Sequence, residues 1–474
     1  MTCWLCGLET TQAQICKNGP CQICTEVTEV DEEINQTVAT LRRLLAKRSG
    51  ILSEHNRVHG TLIHRFPVEL KNRIFELLLP SYNEWGEING SGMQSFLAAI
   101  SVCRGWRDVA LSNPFLWSTM HIDLRTPDIC SGINDWILRS RALPLTLHIQ
   151  VANAMSGPEL PMGTFLDTLS QCSNRLQSLS LYSSSSILSS FLHNNFQYHR
   201  LKQLKITALR THQFDQSLSL LNPTANLEKI ELCGVSFWSL QISWNRLISA
   251  TTYHFDLEDL TQLFQHASQM TFCDISYLKP SPSNFSMPPI IHHRLETLHL
   301  HLSPERDVEP DLLGPLTLPC LQEVVIYDAI TLTQLPALVR RSSCPLTSLT
   351  LFLDSEDLPL DELGPLPGVT DLVIGACEDG DAMMGLLLEE YFPDLRHLTL
   401  RFSPFKVLWD IGVIPSLVDR KRPRVDDPNG RRLHKFIVVD HDWGSQFDRM
   451  WNSEVGEGLK ELNISMREDG FEFF

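Results

Sequence analysis

The chain has 474 residues, 43% apolar and 20% charged, more than one ordinary hydrophobic core absorbs, so several modules or a repeat array are expected. Its net charge of −17 argues against a general nucleic-acid binder, which needs surplus Lys and Arg against phosphates, and no apolar run is long enough to span a bilayer. Of thirteen cysteines, eight lie singly after residue 100, which fits reduced thiols in a cytoplasmic or nuclear protein, and the start shows no signal peptide.

Residues 1–26 carry Cys3-x-x-Cys6 and Cys21-x-x-Cys24, two pairs separated by fourteen residues. A four-thiolate zinc site usually has a gap of about 15–20 between its pairs. Gly7, directly after the second cysteine, suits a tight knuckle that turns amides toward the sulfurs. Structural zinc on Cys3, Cys6, Cys21 and Cys24 would fold a segment too short to fold by burial, with Cys16 as a spare thiol. The alternative is a reduced tail, and no cofactor is otherwise required.

Residues 31–63 read as an amphipathic helix, with Ile34, Val38, Leu41, Leu45, Leu52 and Leu62 at 4-3 spacing. Gly50 and the polar places at Arg48, His55 and His59 weaken a coiled coil. Packing onto the chain's own later modules is therefore expected ahead of pairing with a second copy.

Residues 64–122 begin with Phe66-Pro67, where Pro67 suits a first helical turn, and Pro80 ends that helix. Leu70, Ile74, Leu77 and Leu78 form its apolar stripe. A second helix carries Phe96, Leu97 and Ile100, followed by Val102-Cys103-Arg104-Gly105-Trp106-Arg107 and then Asn113-Pro114-Phe115-Leu116-Trp117. Here the chain resembles the F-box family, whose pattern is a Pro-initiated helix, Val-Cys-x-x-Trp-Arg, and a Pro-x-Leu-Trp corner. The resemblance covers residues 65–120 and implies docking to a Skp-family adaptor and through it a cullin. The family's adaptor contacts carry over to Pro67, Leu70, Ile74, Val102, Cys103, Trp106, Leu116 and Trp117. The plainer alternative makes these residues only the core of a three-helix unit.

From about residue 140 to 474 a motif recurs, apolar-x-x-apolar-x-apolar. It reads Leu176/Leu179/Leu181, Leu201/Leu204/Ile206 and Leu227/Ile230/Leu232, and continues to Leu433/Phe436/Val438 and Leu459/Leu462/Ile464. With a degenerate copy at Met270 and a doubtful one at Leu247, the intervals are 25, 26, 20, 23, 25, 26, 25, 23, 26, 38 and 26 residues. That period resembles the leucine-rich-repeat family, at about 20–29 residues per unit. The last two apolar positions of each copy share one side of a strand, and stacked units bury that side jointly. The implied fold is α/β: a small helical F-box segment followed by a curved solenoid with a parallel concave sheet. Return helices are expected at 215–221, 257–267, 382–391 and 446–451. The place after the strand where a buried Asn or Cys is usual holds Ser184, Ser303, Asp354, Cys377 and Ser403 among others, so no Asn ladder is expected.

Residues at +2, +4 and +6 from each first apolar position should lie on the open face of the sheet. Among them Tyr182, Lys205, His299, His301, Tyr327, Phe352, Asp371, His397 and Arg401 are candidates for holding an unknown protein target; Lys229, Glu231 and Thr297 share that face. Asp354 to Asp394 contains twelve Asp or Glu and no Lys or Arg, either a solvated face or a landing surface for a basic partner. The long interval holds a loop, 404–431, with Arg420-Lys421-Arg422-Pro423-Arg424, either solvated or a nuclear-import signal.

No phosphate loop, HExxH, Gly-x-Ser-x-Gly or kinase signature occurs, and His292-His293 and His299/His301 read as polar contacts more readily than metal ligands. The chain is expected to be no enzyme, with no nucleic-acid or membrane partner. The resemblances together imply a substrate-recognition subunit for ubiquitination. The alternative is a protein-interaction scaffold that uses the repeats without a ligase.

Overall fold

The computed structural model describes residues 22–59, 66–79, 92–123, 129–150, 162–184, 188, 198–209, 226–240, 242–278, 285–301, 312–327, 329–352, 365–375, 391–401, 435–439, 464–467 and 470–473. The chain divides into two compact units, Met1–Leu116 and Trp117–Phe474.

Among its described residues the first unit holds four α-helices: α1 (Gln22–His59), α2 (Val68–Leu77), α3 (Gly92–Ser101) and α4 (Arg104–Ser112). Helix α1 begins nine residues before the expected position 31. Pro67 stands at the N-cap of α2, where a missing N–H costs nothing. Cys103 caps α4, its Sγ accepting from the Trp106 N–H at 3.5 Å. Phe75, Phe96, Ala99, Trp106 and Ala110 are buried here. The Phe75 ring meets Trp106 edge-on at 5.3 Å and Phe96 at 6.2 Å, the tilted arrangement that aromatic quadrupoles prefer.

Among its described residues the second unit is built on one sheet of fifteen strands. In chain order its strands are β1 (Thr119–Asp123), β2 (Leu145–Gln150), β3 (Leu176–Ser184), β4 (Gln203–Leu209), β5 (Lys229–Cys233), β6 (Ser249–Tyr253) and β7 (Phe272–Ser276). After the short β8 (Ile290–Ile291) come β9 (Thr297–His301), the short β10 (Leu316–Thr317) and β11 (Glu323–Ile326). Then follow β12 (Ser348–Phe352), β13 (Asp371–Gly375), β14 (His397–Arg401), β15 (Lys435–Val439), β16 (Ile464–Arg467) and β17 (Gly470–Phe473). Strands β8 and β10 pair apart from the main sheet. Each repeat strand from β1 to β15 pairs parallel with the next, as the α/β repeat reading requires.

Two details differ from the repeat pattern. The sheet starts at β1, ahead of residue 140, and Trp117 stands three residues before Met120, in the place of a repeat's first leucine. The copy Leu459/Leu462/Ile464 does not extend the parallel array: β16 and β17 form an antiparallel hairpin, and β17 joins β15 antiparallel.

Burial alternates along the strands, as in Thr297–His301, where Leu298 and Leu300 are buried and their neighbours half-buried. In register, Leu204, Ile230, Ala250, Cys273, Leu298, Val324, Leu349, Leu372 and Leu398 stack into one apolar row. At the doubtful Leu247 copy the inward places hold Ala250 and Thr252, and Thr252 Oγ1 donates to the Asp274 carbonyl at 3.3 Å. Helix α7 (Leu257–His266), which follows α5 (Ile129–Arg139) and α6 (Met162–Cys172) in the chain, buries Leu257, Leu260, Leu263 and Phe264. Helix α8 (Ala329–Ser342) contains Pro336, which hides it from a helix reading, yet Leu332, Leu335 and Leu338 are buried. The expected return helices at 215–221 and 446–451, and residues 382–390 of the one expected at 382–391, lie outside the described residues; Tyr391 stands in a turn.

In place of an Asn ladder, polar side chains reach back from one coil to an earlier one. Arg175 donates to the Leu143 carbonyl and Ser140 Oγ at 2.7–3.0 Å. Arg341 donates to the Leu313 and Leu316 carbonyls at 2.6–2.9 Å. His292 Nδ1 accepts from the Leu295 N–H at 3.1 Å, so Nε2 carries the proton and donates to the Ala267 carbonyl at 3.0 Å. His292 is thus a structural fastener, and burial lowers its pKa.

Candidate functional site

Two surfaces carry the sequence-derived candidates. On the helical unit, Phe75 decides which side of α2 faces inward, because it alone on that helix is buried. The stripe read from spacing faces out: Leu70 is 50% exposed and Leu77 70%, with Ile74 half-buried between them. Pro67 and Val102 are exposed and Cys103 is half-buried.

Three proposed adaptor contacts are corrected. Trp106 is 9% exposed and forms the aromatic core with Phe75. Leu116 and Trp117 are 0% and 1% exposed. Trp117 packs edge-on against Trp136 at 4.9 Å beneath the Arg139 guanidinium at 4.6 Å, anchoring the first coil of the sheet unit. A side chain covered by its own chain presents no surface to a partner, so these three act through stability.

Of the cysteine set, Cys3, Cys6 and Cys21 lie outside the described residues; Cys24 falls in the first turn of α1, and its side chain also lies outside. Loop 404–431 and most of the acidic stretch lie outside as well. Among the described residues no group of three metal-ligating side chains converges.

The open face of the sheet has a polar end and an aromatic end. One in-register row runs His121, His148, Ser180, Lys205, Glu231 across successive strands. The His121 and His148 rings stack at 4.4 Å and 13°. Burial, then the neighbouring His148, lowers the His121 pKa to about 3; burial, then Lys205, lowers that of His148 to about 4. Both rings are therefore neutral at neutral pH. Glu231 accepts from Lys205 at 2.7 Å and Lys229 at 2.8 Å. Burial works to raise its pKa, but the two ammonium groups outweigh it and hold the carboxyl below its usual range. Lys205 is thus engaged in an internal ion pair.

Further along, rings from successive coils form a ladder. His301 stacks on Tyr327 at 4.7 Å and 24°, and Tyr327 on Phe352 at 4.7 Å and 11°. Tyr277 lies 4.7 Å from His301, and His254 lies 5.6 Å from Tyr277. Beyond Phe352 stands Gly375, where a Cβ would come within 2.6 Å of the Phe352 ring. Glycine here lets the last rung lie flat over the next strand. Tyr277 and His254 were missed by the +6 count because each sits one residue past its strand, at φ 55° and 62°. A non-glycine in that region costs about 1 kcal/mol or more, and such strain gathers at functional positions.

The remaining candidates are less concentrated. Tyr182 and His299 are half-buried on the open face, and the His299 ring meets Phe272 edge-on at 4.9 Å. Asp371 and His397, treated separately from spacing, pair with each other at 2.6 Å, because β13 and β14 place them directly opposite. Arg401 ends β14, and its side chain lies outside the described residues. Asp274, between the polar and aromatic ends, is raised in pKa by burial, an effect reduced by His299.

No family model matches this chain, and no curated protein matches it. Among solved structures it is similar to a chain of the crystal structure of the Rad7 and Elc1 complex in yeast. The identity is 14% and the TM-score 0.33, with 79% of this chain and 92% of that chain covered.

Proposed function

We propose that this chain is a non-catalytic recognition subunit: its helical unit docks a Skp-family adaptor, and through it a cullin, while the open sheet face holds a protein target for ubiquitination. The reading rests on the F-box-like run over residues 65–120 and is carried by one observation, the outward stripe Leu70, Ile74 and Leu77 on α2. The unit's inward aromatic cluster is already complete without that stripe, so a partner gains its burial, roughly 25 cal/mol per Å² covered. The adaptor contacts narrow to Pro67, Leu70, Ile74 and Val102, with Leu77 added, and Cys103 serves as helix cap. On the sheet, the ring ladder His301–Tyr327–Phe352 is the anchor for a target segment carrying apolar or planar side chains.

Leu70→Asp with Leu77→Asp changes only half-exposed or more exposed positions, so it should abolish co-purification of the adaptor while leaving the unfolding transition in place. Wild-type chain that binds no Skp-family adaptor in a direct pull-down would overturn the ligase reading in favour of a scaffold.

A further inference from the structure

Helix α1 spans 38 residues, about 57 Å at 1.5 Å per residue, and every described side chain on it is exposed except the half-buried Ser53. Yet it carries a seam. Val27, Val30, Ile34, Leu41, Leu44 and Ile51 occupy alternating three- and four-residue steps, the a and d positions of a heptad, and are 53–60% exposed. Val38, Leu45 and Leu52 widen one flank of that stripe. Most helical stability in proteins comes from packing an amphipathic face, and this face is unpacked over four heptads. Thr37, the one hydroxyl in the seam, donates to the Glu33 carbonyl at 2.8 Å, so it enters an apolar interface with its hydrogen bond already made.

The charges choose the occupant. Glu26, Glu29, Asp31, Glu32 and Glu33 crowd the first part of the helix, and no Lys or Arg occurs from 22 to 41. Arg42, Arg43, Lys47 and Arg48 follow. Complementing the helix dipole accounts for charges only in the first and last turns, whereas these blocks lie in the interior. A parallel pair would set five carboxylates beside five carboxylates. An antiparallel pair sets each acidic block against a basic one.

We infer that α1 is a self-association element that pairs antiparallel with α1 of a second copy of this chain. One register satisfies seam and charge together: Ile34 opposite Leu44 of the second copy, Thr37 opposite Leu41, and Val30 opposite Arg48. The same register places Glu33 against Lys47 twice, by symmetry. Arg48, the cation that interrupts the seam, then enters the acidic block of the other copy rather than facing its own twin. Pairing through α1 is independent of adaptor docking, which uses α2.

Sedimentation equilibrium on the purified full-length chain tests this. A dimer is expected, and a monomer throughout the micromolar range overturns the inference. Leu41→Asp with Leu44→Asp should give a monomer whose main unfolding transition is unmoved; a dimer that persists shows that another surface pairs. Glu33→Lys, an exposed change that leaves the fold intact, sets cation against cation at two symmetric places and should weaken the dimer about tenfold. Adding Lys47→Glu to it should restore the dimer. Tighter association with Glu33→Lys alone would show parallel pairing and sink the antiparallel assignment.

Discussion

The two units dispose of their apolar residues in opposite ways. In the sheet unit each apolar stripe is two residues wide and worthless alone, but a neighbouring coil lies on either side to cover it, so Leu298, Val324 and Leu349 are all fully buried. In the helical unit the three short helices α2, α3 and α4 share one aromatic cluster among the described residues, and Leu70, Leu77, Leu97 and Val102 are left at 45–70% exposure. A repeat array grows its own partners; a small helical module borrows them.

Three measurements sharpen that contrast. The largest effect is expected in the helical unit's aromatic cluster: Phe75→Ala should destabilise that unit by about 3–5 kcal/mol, read by chemical denaturation. A loss under about 1 kcal/mol would mean that this interior is not what holds the unit.

Acid should act next, on the sheet unit. His121 and His148 are held neutral by burial, with folded pKa values of about 3 and 4. Their unfolded values are near 6.5, so their contribution is present above that pH and is lost as the pH falls below it. At pH 5 each would cost up to about 2 kcal/mol of stability relative to neutral pH. His292, lowered by burial and fastened through Nδ1, acts in the same direction. Replacing His121 and His148 by Gln should flatten the pH profile of the melting temperature between 7 and 5.

The smallest of the three is Gly375→Ala. Its new methyl meets the Phe352 ring, and overpacking of this kind costs about 1–3 kcal/mol. The ladder's last rung must tilt, so target capture should fall more than stability does. An unchanged affinity would remove Phe352 from the anchor.

The repeat strands were legible because a leucine at a fixed step has one physical use, and even the degenerate copies at Leu247 and Met270 became β6 and β7. The direction a helical stripe faces was not legible. Leu70, Ile74 and Leu77 mark one side of α2 equally well whether it points in or out, and only the size of Phe75 and its meeting with Trp106 and Phe96 settle it. Trp117 was misassigned for a related reason: a tryptophan in a Pro-x-Leu-Trp corner also serves as the opening apolar residue of the first coil. Three rungs of the ladder, His301, Tyr327 and Phe352, were legible from the strand spacing, whereas His254 and Tyr277 escaped because they depend on left-handed backbone, which no spacing rule counts.

The backward-reaching side chains give the solenoid a grain. Arg175, His292 and Arg341 all belong to the later coil and bind carbonyls of an earlier one. Cutting coils from the carboxy-terminal side removes a donor and leaves a carbonyl that water can satisfy. Cutting from the amino-terminal side strands a guanidinium or imidazole whose acceptors have gone. The array should therefore tolerate shortening from its far end better than from its near end, and a nascent chain can fasten each coil as it emerges, onto one already laid down.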